Sequence, residues 1–167
     1  IVTNGGGPGV MAIDALARCG LEPAELSAAT IEALDSVLPP YWSRRNPVDI
    51  IGSATAERYV RVVEILRKEP KLHGLMIIMA RQGVVSPLEV AQSLINVLKE
   101  LPFPVFAVWM GGRDMAAGIQ YLNDRGIATY AAPEPAAVAF SYILQYTRNL
   151  AMTREIPPRL VSGHLTP

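Results

Sequence analysis

The stretch Ile1-Val2-Thr3-Asn4-Gly5-Gly6-Gly7-Pro8-Gly9-Val10 decides the fold that we predict for this chain. Its first three residues are typical of the end of a buried β-strand, and the glycines and proline that follow predict a tight turn into an α-helix. A helix N-terminus carries about half a positive charge and several unpaired N–H groups, so it attracts anions. The stretch therefore predicts a strand, a turn and a helix start that presents backbone N–H groups to an oxyanion.

Strand and helix patterns alternate along the rest of the chain. Leu75–Ala80 and Val105–Trp109 are continuous apolar runs, as expected of parallel strands covered on both faces, and Ile127–Tyr130 is a shorter one. Apolar residues at helical spacing predict helices over Val10–Cys19, Ala28–Val37, the segment with Tyr59, Val62, Val63 and Leu66, Pro87 to about Leu101, Asp114–Arg125 and Glu134–Leu150. This alternation predicts an α/β fold, a flavodoxin-like doubly wound parallel sheet in three layers.

Three local features complete this outline. Ser86, Pro87 and Glu89 have the spacing of a capping box at a helix start. Ala24–Leu26 is a weak candidate for a second strand near the sheet edge, and Val48–Ile51 is expected to be an irregular extended stretch. We expect residues 1–150 to form one domain and residues 151–167 to be a linker or tail toward a further domain.

Composition excludes several classes of protein. Half of the residues are apolar and 18% are charged, which is typical of a globular domain. Fifteen basic residues balance fifteen acidic ones, so no net field favours nucleic acid or a membrane surface. Cys19 is the only cysteine, and no apolar run is long enough to span a bilayer. We expect a cytoplasmic domain that binds neither nucleic acid nor membrane.

The turns that follow the strands are the expected binding site, because ligands of open parallel sheets bind beyond the carboxyl ends of the strands. The predicted phosphate-binding residues are Asn4, Gly5, Gly6, Gly7, Gly9 and Val10. The possible rim comprises Asp49, Gln82, Gly83, Gly111 and Gly112. Asp49 is either a site carboxylate or a loop cap.

The chain lacks the motifs of self-contained enzymes. Its glycine spacing matches neither the dinucleotide-binding fingerprint nor the P-loop. His73 precedes a predicted strand, at the end opposite the expected site, and His164 lies in the tail. No metal-ligand cluster and no serine, histidine and acid constellation follows the strands. We therefore predict no catalytic residue in this chain and no metal site, only the ability to bind and position an anion.

Four segments in matching order resemble NDP-forming acyl-CoA synthetases, the superfamily of ADP-forming acetate-CoA ligase and succinyl-CoA synthetase. The segments are Ile1–Val10, Arg45–Asp49, Gly52–Tyr59 and Trp109–Gly112. Within this superfamily the chain is similar to the second flavodoxin-like ligase domain. The resemblance implies a reaction in which an acid, CoA and a nucleoside triphosphate give an acyl-CoA, a nucleoside diphosphate and phosphate, through an acyl phosphate and a phosphohistidine.

The resemblance also implies partners. The histidine belongs to another flavodoxin-like CoA-ligase domain and the nucleotide to an ATP-grasp domain, in the same chain or a partner chain. CoA, ATP or ADP and Mg²⁺ are then bound mainly by those domains, the substrate is a carboxylic acid, and the whole is an oligomer. The helix that begins at Gly9-Val10 would point its N-terminus at the phosphoryl group. A second interpretation stays open, in which the chain is a non-catalytic sensing or scaffold module of a synthetase–acetyltransferase fusion.

Overall fold

The computed structural model describes residues 1–83 and 85–154, and within them strands and helices alternate. The strands are β1 (Val2–Thr3), β2 (Val48–Asp49), β3 (Leu75–Ala80), β4 (Val105–Met110) and β5 (Ala128–Tyr130). The helices are α1 (Gly6–Arg18), α2 (Ala28–Asp35), α3 (Ala56–Leu66), α4 (Pro87–Lys99), α5 (Ala116–Asn123) and α6 (Pro133–Arg154), with a 3-10 helix at Gly112–Met115 before α5.

All neighbouring strands of the sheet are parallel, and their order is β2-β1-β3-β4-β5. This is the flavodoxin-like order, in which the direction of winding reverses between β1 and β3. The crevice at that reversal lies directly beyond Thr3 and Ala80, the last residues of these two strands.

Two hydrophobic cores cover the two faces of the sheet. Leu75, Ile77 and Met79 of β3 face a core formed with α2, α3, α4 and α5. Met76 and Ile78 face a second core formed with α1 and α6. Alternate residues of one strand are thus buried on opposite faces, which explains the continuous apolar run and confirms the predicted three-layer α/β fold.

The predicted helical stripe on α3 is confirmed, because Tyr59, Val62, Val63 and Leu66 are all buried. Burial raises the pKa of Tyr59, the nearby charge of Asp49 raises it further, and the phenol donates to the Ile78 carbonyl at 3.2 Å. Tyr59 is therefore a neutral structural residue under the site.

The predicted capping box at α4 is wrong in part. Pro87 occupies the first helical turn as predicted, but the Ser86 side chain makes no capping hydrogen bond. Ser27 and Thr55, which precede α2 and α3, do accept from the N–H groups of Thr30 and Arg58.

Two strand predictions need correction. Ala24–Leu26 forms no strand, and the strand at that edge is β2, where Val48 and Asp49 pair with β1. The loop that contains Asn46 and Pro47 places β2 beside β1. The Val48 N–H donates to the Ile1 carbonyl at 2.9 Å. The stretch predicted to be irregular is therefore the sheet edge.

Three helix boundaries also differ from the predictions. Helix α1 begins at Gly6, ahead of the predicted Val10. The helix predicted from Asp114 begins as a 3-10 turn at Gly112 and becomes α-helical at Ala116. Helix α6 continues four residues into the predicted linker, and residues 155–167, His164 among them, lie outside the described residues. The linker stays a prediction.

A buried carboxylate ties α2 to the end of α3. Glu69 is 3% exposed and accepts hydrogen bonds from the Ser27 N–H at 2.9 Å and the Thr30 hydroxyl at 2.8 Å. The bond from the Ser27 backbone, with smaller contributions from the Ser27 and Thr30 hydroxyls and the Lys71 N–H, outweighs burial and lowers the pKa of Glu69 to about 2. The folded protein therefore prefers the ionised carboxylate.

Replacing Glu69 with glutamine is expected to lower the free energy of unfolding at pH 7 by about 1.5–3 kcal/mol, the range for hydrogen bonds to charged groups. Because the folded pKa lies below the unfolded value of 4.5, the wild-type advantage is present above pH 4.5 and is lost as the pH falls toward 2. Urea unfolding at pH 7 and at about pH 2.5 measures this. A difference between the two proteins that does not change with pH would contradict the assignment.

Candidate functional site

The site lies at the carboxyl ends of β1 and β3, where Asn4 bridges the two strands. Asn4 is 1% exposed; its Nδ2 donates to the Ala80 carbonyl and its Oδ1 accepts from the Ala80 N–H, both at 2.8 Å. The side chain thereby continues the β1–β3 ladder for one more residue. Its amide is engaged on both sides, so Asn4 builds the crevice and does not reach out to an anion.

The start of α1 presents free donors. Gly5 occupies the cap position, no side chain caps the helix, and its first turn contains no acidic residue. The Gly5 N–H donates to the Thr3 hydroxyl oxygen at 3.2 Å, and the Gly9 N–H donates to the Gly5 carbonyl at 3.2 Å. Within the part of the chain that the structure describes, no acceptor is found for the N–H groups of Gly6 and Gly7, which are exposed.

Gly9 has a packing role. It is buried, and a Cβ at this position would lie 3.1 Å from Thr3 Cγ2 and 3.5 Å from Pro47. The absence of a side chain lets α1 approach β1 and the loop before β2 closely. Of the predicted phosphate-binding residues, Gly9 thus sets the position of the helix, Gly6 and Gly7 offer donors, and Val10 is 61% exposed beside them.

Gln82 lies between two glycine turns. A Cβ on Gly5 would be 3.6 Å from Gln82 Nε2, and a Cβ on Gly52 would be 3.1 Å from Gln82 Oε1. A side chain at Gly52 would push the Gln82 amide aside by a few tenths of an ångström. Gly83 follows with a φ of 75°, a conformation that favours glycine and turns the chain away. Gln82 therefore lies at the crevice, and Gly52 is a further residue there that the sequence analysis placed only in a family motif.

Asp49 has a clear structural role and also faces the start of α1. Its Oδ1 accepts from the Ile51 N–H at 2.9 Å, which holds the loop where Ile51 has a φ of 69°. Its Oδ2 lies 3.6 Å from where a Cβ on Gly6 would be, whereas a Cβ on Gly7 would meet no atom within 4 Å. A bound anion would be repelled on the Gly6 side and has open space on the Gly7 side.

The loop after β4 extends the rim to the neighbouring strand. Arg81 pairs with Asp114 at 2.6 Å, and a Cβ on Gly111 would lie 3.0 Å from Arg81 Cβ. Gly112 has a φ of 62° and begins the 3-10 helix. Gly111 and Gly112 thus lie against the loop of Gln82, one strand further from α1.

A groove of about 410 Å³ runs beside the start of α1. Gly6, Val10 and Ile13 form one wall, and the loop before β2, with Arg45 and Pro47, forms the other. Arg45 is an exposed cation in this groove, and the sequence analysis placed it only in a family motif. Of the two residues with free N–H groups, Gly6 lines this groove and Gly7 does not, and Asp49 lines it together with Arg45.

The described residues contain no group of histidine, cysteine, aspartate and glutamate side chains that could hold a metal ion. His73 lines a separate cavity of about 430 Å³ at the amino ends of the strands, as its sequence position predicted. None of the described helices is both long and apolar enough to span a bilayer. Among the described residues, the start of α1 offers the free N–H groups of Gly6 and Gly7 as donors.

Comparisons with known proteins find relatives over nearly the whole chain. The Ligase-CoA domain family matches residues 1–152. The chain is 37% identical over 154 residues to the alpha subunit of ADP-forming acetate–CoA ligase II of Pyrococcus furiosus, an alignment that covers 90% of this chain and 34% of the subunit. It is 38% identical over 151 residues to the ADP-forming acetate–CoA ligase of Methanocaldococcus jannaschii, covering 88% of this chain and 21% of that protein.

Two solved structures share the fold. PH0766 from Pyrococcus horikoshii OT3 superposes with a TM-score of 0.82 at 35% identity, covering 89% of this chain and 35% of that one. Dinucleotide-forming acetyl-coenzyme A synthetase 1 of Ca. Korarchaeum cryptofilum, in complex with phosphate and ADP, superposes with a TM-score of 0.84 at 29% identity, covering 93% and 34%. The chain spans about a third or less of the length of these proteins.

Proposed function

Because this chain belongs to the Ligase-CoA domain family, we propose that it is the second flavodoxin-like domain of an NDP-forming acyl-CoA synthetase and stabilises a phosphoryl group at the start of α1. The complete enzyme would convert a carboxylic acid, CoA and a nucleoside triphosphate to an acyl-CoA, a nucleoside diphosphate and phosphate. The phosphoryl group would pass through an acyl phosphate and a phosphohistidine. The chain alone would not catalyse the reaction.

One observation carries this proposal, namely that α1 begins with two exposed, unpaired N–H groups and no side-chain cap in the described part of the chain. Helices α2 and α3 use Ser27 and Thr55 to satisfy such donors, and α4, which also lacks a side-chain cap, has the acidic Glu89 in its first turn. The N–H groups of Gly6 and Gly7 remain free to bind a ligand, and the helix dipole favours a negatively charged ligand. Backbone donors suit a phosphoryl group in transit, because they stabilise its charge without donating a proton to it.

The proposed partners are those that the family resemblance implies. The phosphohistidine would come from another CoA-ligase domain that closes over Gly7 and Val10, and the described residues supply no histidine at this edge of the sheet. The nucleotide and Mg²⁺ would be held by an ATP-grasp domain, and CoA mainly by domains other than this one. The Korarchaeum synthetase, in which this chain matches about a third of the length, has been solved in complex with phosphate and ADP, two ligands of the proposed reaction.

The test is to assay this chain alone and together with a histidine-bearing domain and an ATP-grasp domain, supplied as one polypeptide or as subunits. The complete assembly is expected to form acyl-CoA from acetate, CoA and ATP and to carry an acid-labile phosphoryl group after incubation with γ-labelled ATP. The chain alone is expected to do neither. An assembly that binds acyl-CoA but forms neither thioester nor phosphoenzyme would contradict the proposal and favour the sensing module.

A further inference from the structure

The groove beside α1 extends well beyond the free N–H groups at the helix start. Gly6, Val10 and Ile13 line it from α1, and their spacing of four and three residues places them on one face of the helix. Because Gly6 and Ile13 are seven residues apart, the groove follows α1 for about 10 Å, or about two turns. Its volume of about 410 Å³ lies within the range of roughly 300–1,000 Å³ for ligand-binding clefts. A phosphoryl group at the helix start would leave most of this groove open.

The walls of the groove are largely apolar. Val10 and Ile13 form the helix wall, Pro47 lies on the opposite wall, and Pro23 also lines the groove. Val10 is 61% exposed although it is apolar. Covering these side chains with hydrocarbon would remove apolar surface from water, which is favourable. The groove is therefore suited to an apolar ligand.

Two polar residues of the groove are already hydrogen-bonded within the protein. Asn46 Nδ2 donates to the Ala24 carbonyl at 2.9 Å, and the Ser43 hydroxyl donates to the Pro47 carbonyl at 2.9 Å. A ligand with amide or hydroxyl groups along its length would give up hydrogen bonds with water for few replacements here, which is costly. A hydrocarbon chain gives up none. These contacts favour an apolar chain over a polar one such as the pantetheine arm of CoA.

The charges of the groove favour an uncharged chain. Arg45 and Asp49 both line the groove, so it carries one charge of each sign and attracts neither a cation nor an anion overall. Asp49 Oδ2 lies 3.6 Å from where a Cβ on Gly6 would be, at the point where a ligand would enter the groove from the helix start. A carboxylate within the groove would be repelled by Asp49 there. A neutral chain avoids this cost.

We propose that this groove holds the tail of the carboxylic acid substrate, and that the substrate is a straight-chain monocarboxylic acid of about six to eight carbons. The inference rests on the proposed function, because the reacting carboxyl group must lie near Gly7 at the start of α1. The tail then passes Gly6 and runs between Pro47 and the side chains of Val10 and Ile13. An extended chain advances about 1.2 Å per bond, so about eight bonds span the groove.

A series of straight-chain acids tests the groove in the complete ligase. The value of kcat/KM is expected to rise about two- to fourfold for each methylene added to acetate, since a fully buried methylene is worth about fourfold and an open groove buries it in part. Hexanoate is therefore expected to exceed acetate at least about tenfold. Adipate, with the same six carbons and a second carboxylate at the far end, is expected to fall at least about tenfold below hexanoate.

Ile13→Trp tests the position of the tail, because the indole ring would fill the groove. The ratio of kcat/KM for hexanoate to that for acetate is expected to fall at least about tenfold. Ile65→Trp is the matched control, since Ile65 is also a partly buried helical isoleucine but lies on α3, against the opposite face of the sheet. This variant is expected to keep the wild-type ratio. Thermal melting verifies that both variants keep the fold, and the acid series with the wild type needs no variant.

The outcomes separate this inference from the proposed function. An assembly that forms no acyl-CoA from any acid would refute the proposed function, and the inference with it. An assembly that forms acetyl-CoA but uses hexanoate no better than acetate would overturn the inference alone. A ligase that uses adipate as well as hexanoate, or a folded Ile13→Trp variant with the wild-type ratio, would overturn it equally.

Discussion

Replacing Gly7 with aspartate is expected to lower acyl-CoA formation by the complete ligase about 100- to 1,000-fold, the scale of losing one donor to a developing anion. The new carboxylate would stand beside the free N–H groups at the start of α1. A unit charge about 5 Å from another costs about 3 kcal/mol at an effective dielectric constant near 20, and a phosphoryl group carries more than one charge. The readouts are the rate of acyl-CoA formation and the amount of phosphoenzyme.

Stability separates this loss of function from misfolding. A Cβ on Gly7 meets no atom within 4 Å, and the residue lies in the first turn of the helix. Aspartate there removes the entropic cost of glycine and complements the helix dipole, each effect amounting to about 0.5–1 kcal/mol. The Asp variant is therefore expected to melt no lower than the wild type. Gly7→Asn is the uncharged control of matched size, and an equal loss of rate in both variants would contradict the electrostatic argument.

Replacing Asn4 with alanine is expected to cost about 1–3 kcal/mol of folding free energy, because it leaves the partly buried Ala80 N–H and carbonyl without their partners. The β1–β3 ladder would then end at Thr3, next to the loop that carries Gln82. Urea unfolding measures the stability. The same substitution in the complete ligase is expected to reduce the rate even at temperatures where the fold persists.

Asn123→Ala is the control for this prediction. Asn123 also uses its side chain, with Oδ1 accepting from the Thr129 hydroxyl at 2.8 Å, but the pair is exposed at the end of α5. Its loss is expected to cost less than about 0.5 kcal/mol, as for most surface positions. If the two alanine variants were equally stable, the bridging role of Asn4 would be wrong.

Much of the fold followed from local sequence patterns. We could predict the buried run Leu75–Ala80 and the apolar stripe of α3 because both faces of β3 and one face of α3 are covered. Buried positions carry apolar residues, and their spacing is visible in the sequence. The edge strand β2 was missed because it is two residues long and is held by pairing with β1, a long-range contact with no local pattern. The predicted start of α1 at Val10 was too late, because glycines are poor helix formers and therefore do not indicate a helix, although α1 begins at Gly6.

The site was predicted as a set of loops, but the assignment of roles needed the structure. Gly5, Gly6, Gly7 and Gly9 are equivalent in a sequence motif, whereas hydrogen bonding separates Gly6 and Gly7, with free donors, from Gly5 and Gly9. The contact of Gln82 with Gly52 joins two distant segments of the chain and depends on how β2 and β3 flank β1. Contacts between such distant segments cannot be predicted from the spacing of residues in the sequence.

The most direct measurement of the central claim is an NMR titration of the ¹⁵N-labelled chain with inorganic phosphate, with chloride at equal ionic strength as the reference. We predict saturable shifts that are largest at the Gly6 and Gly7 amides and that disappear in Gly7→Asp. Binding should be tighter in Asp49→Asn, which removes the charge beside Gly6 while keeping an oxygen for the Ile51 N–H. Shifts that do not saturate at Gly6 and Gly7, or that are largest at the His73 end of the sheet, would contradict the claim.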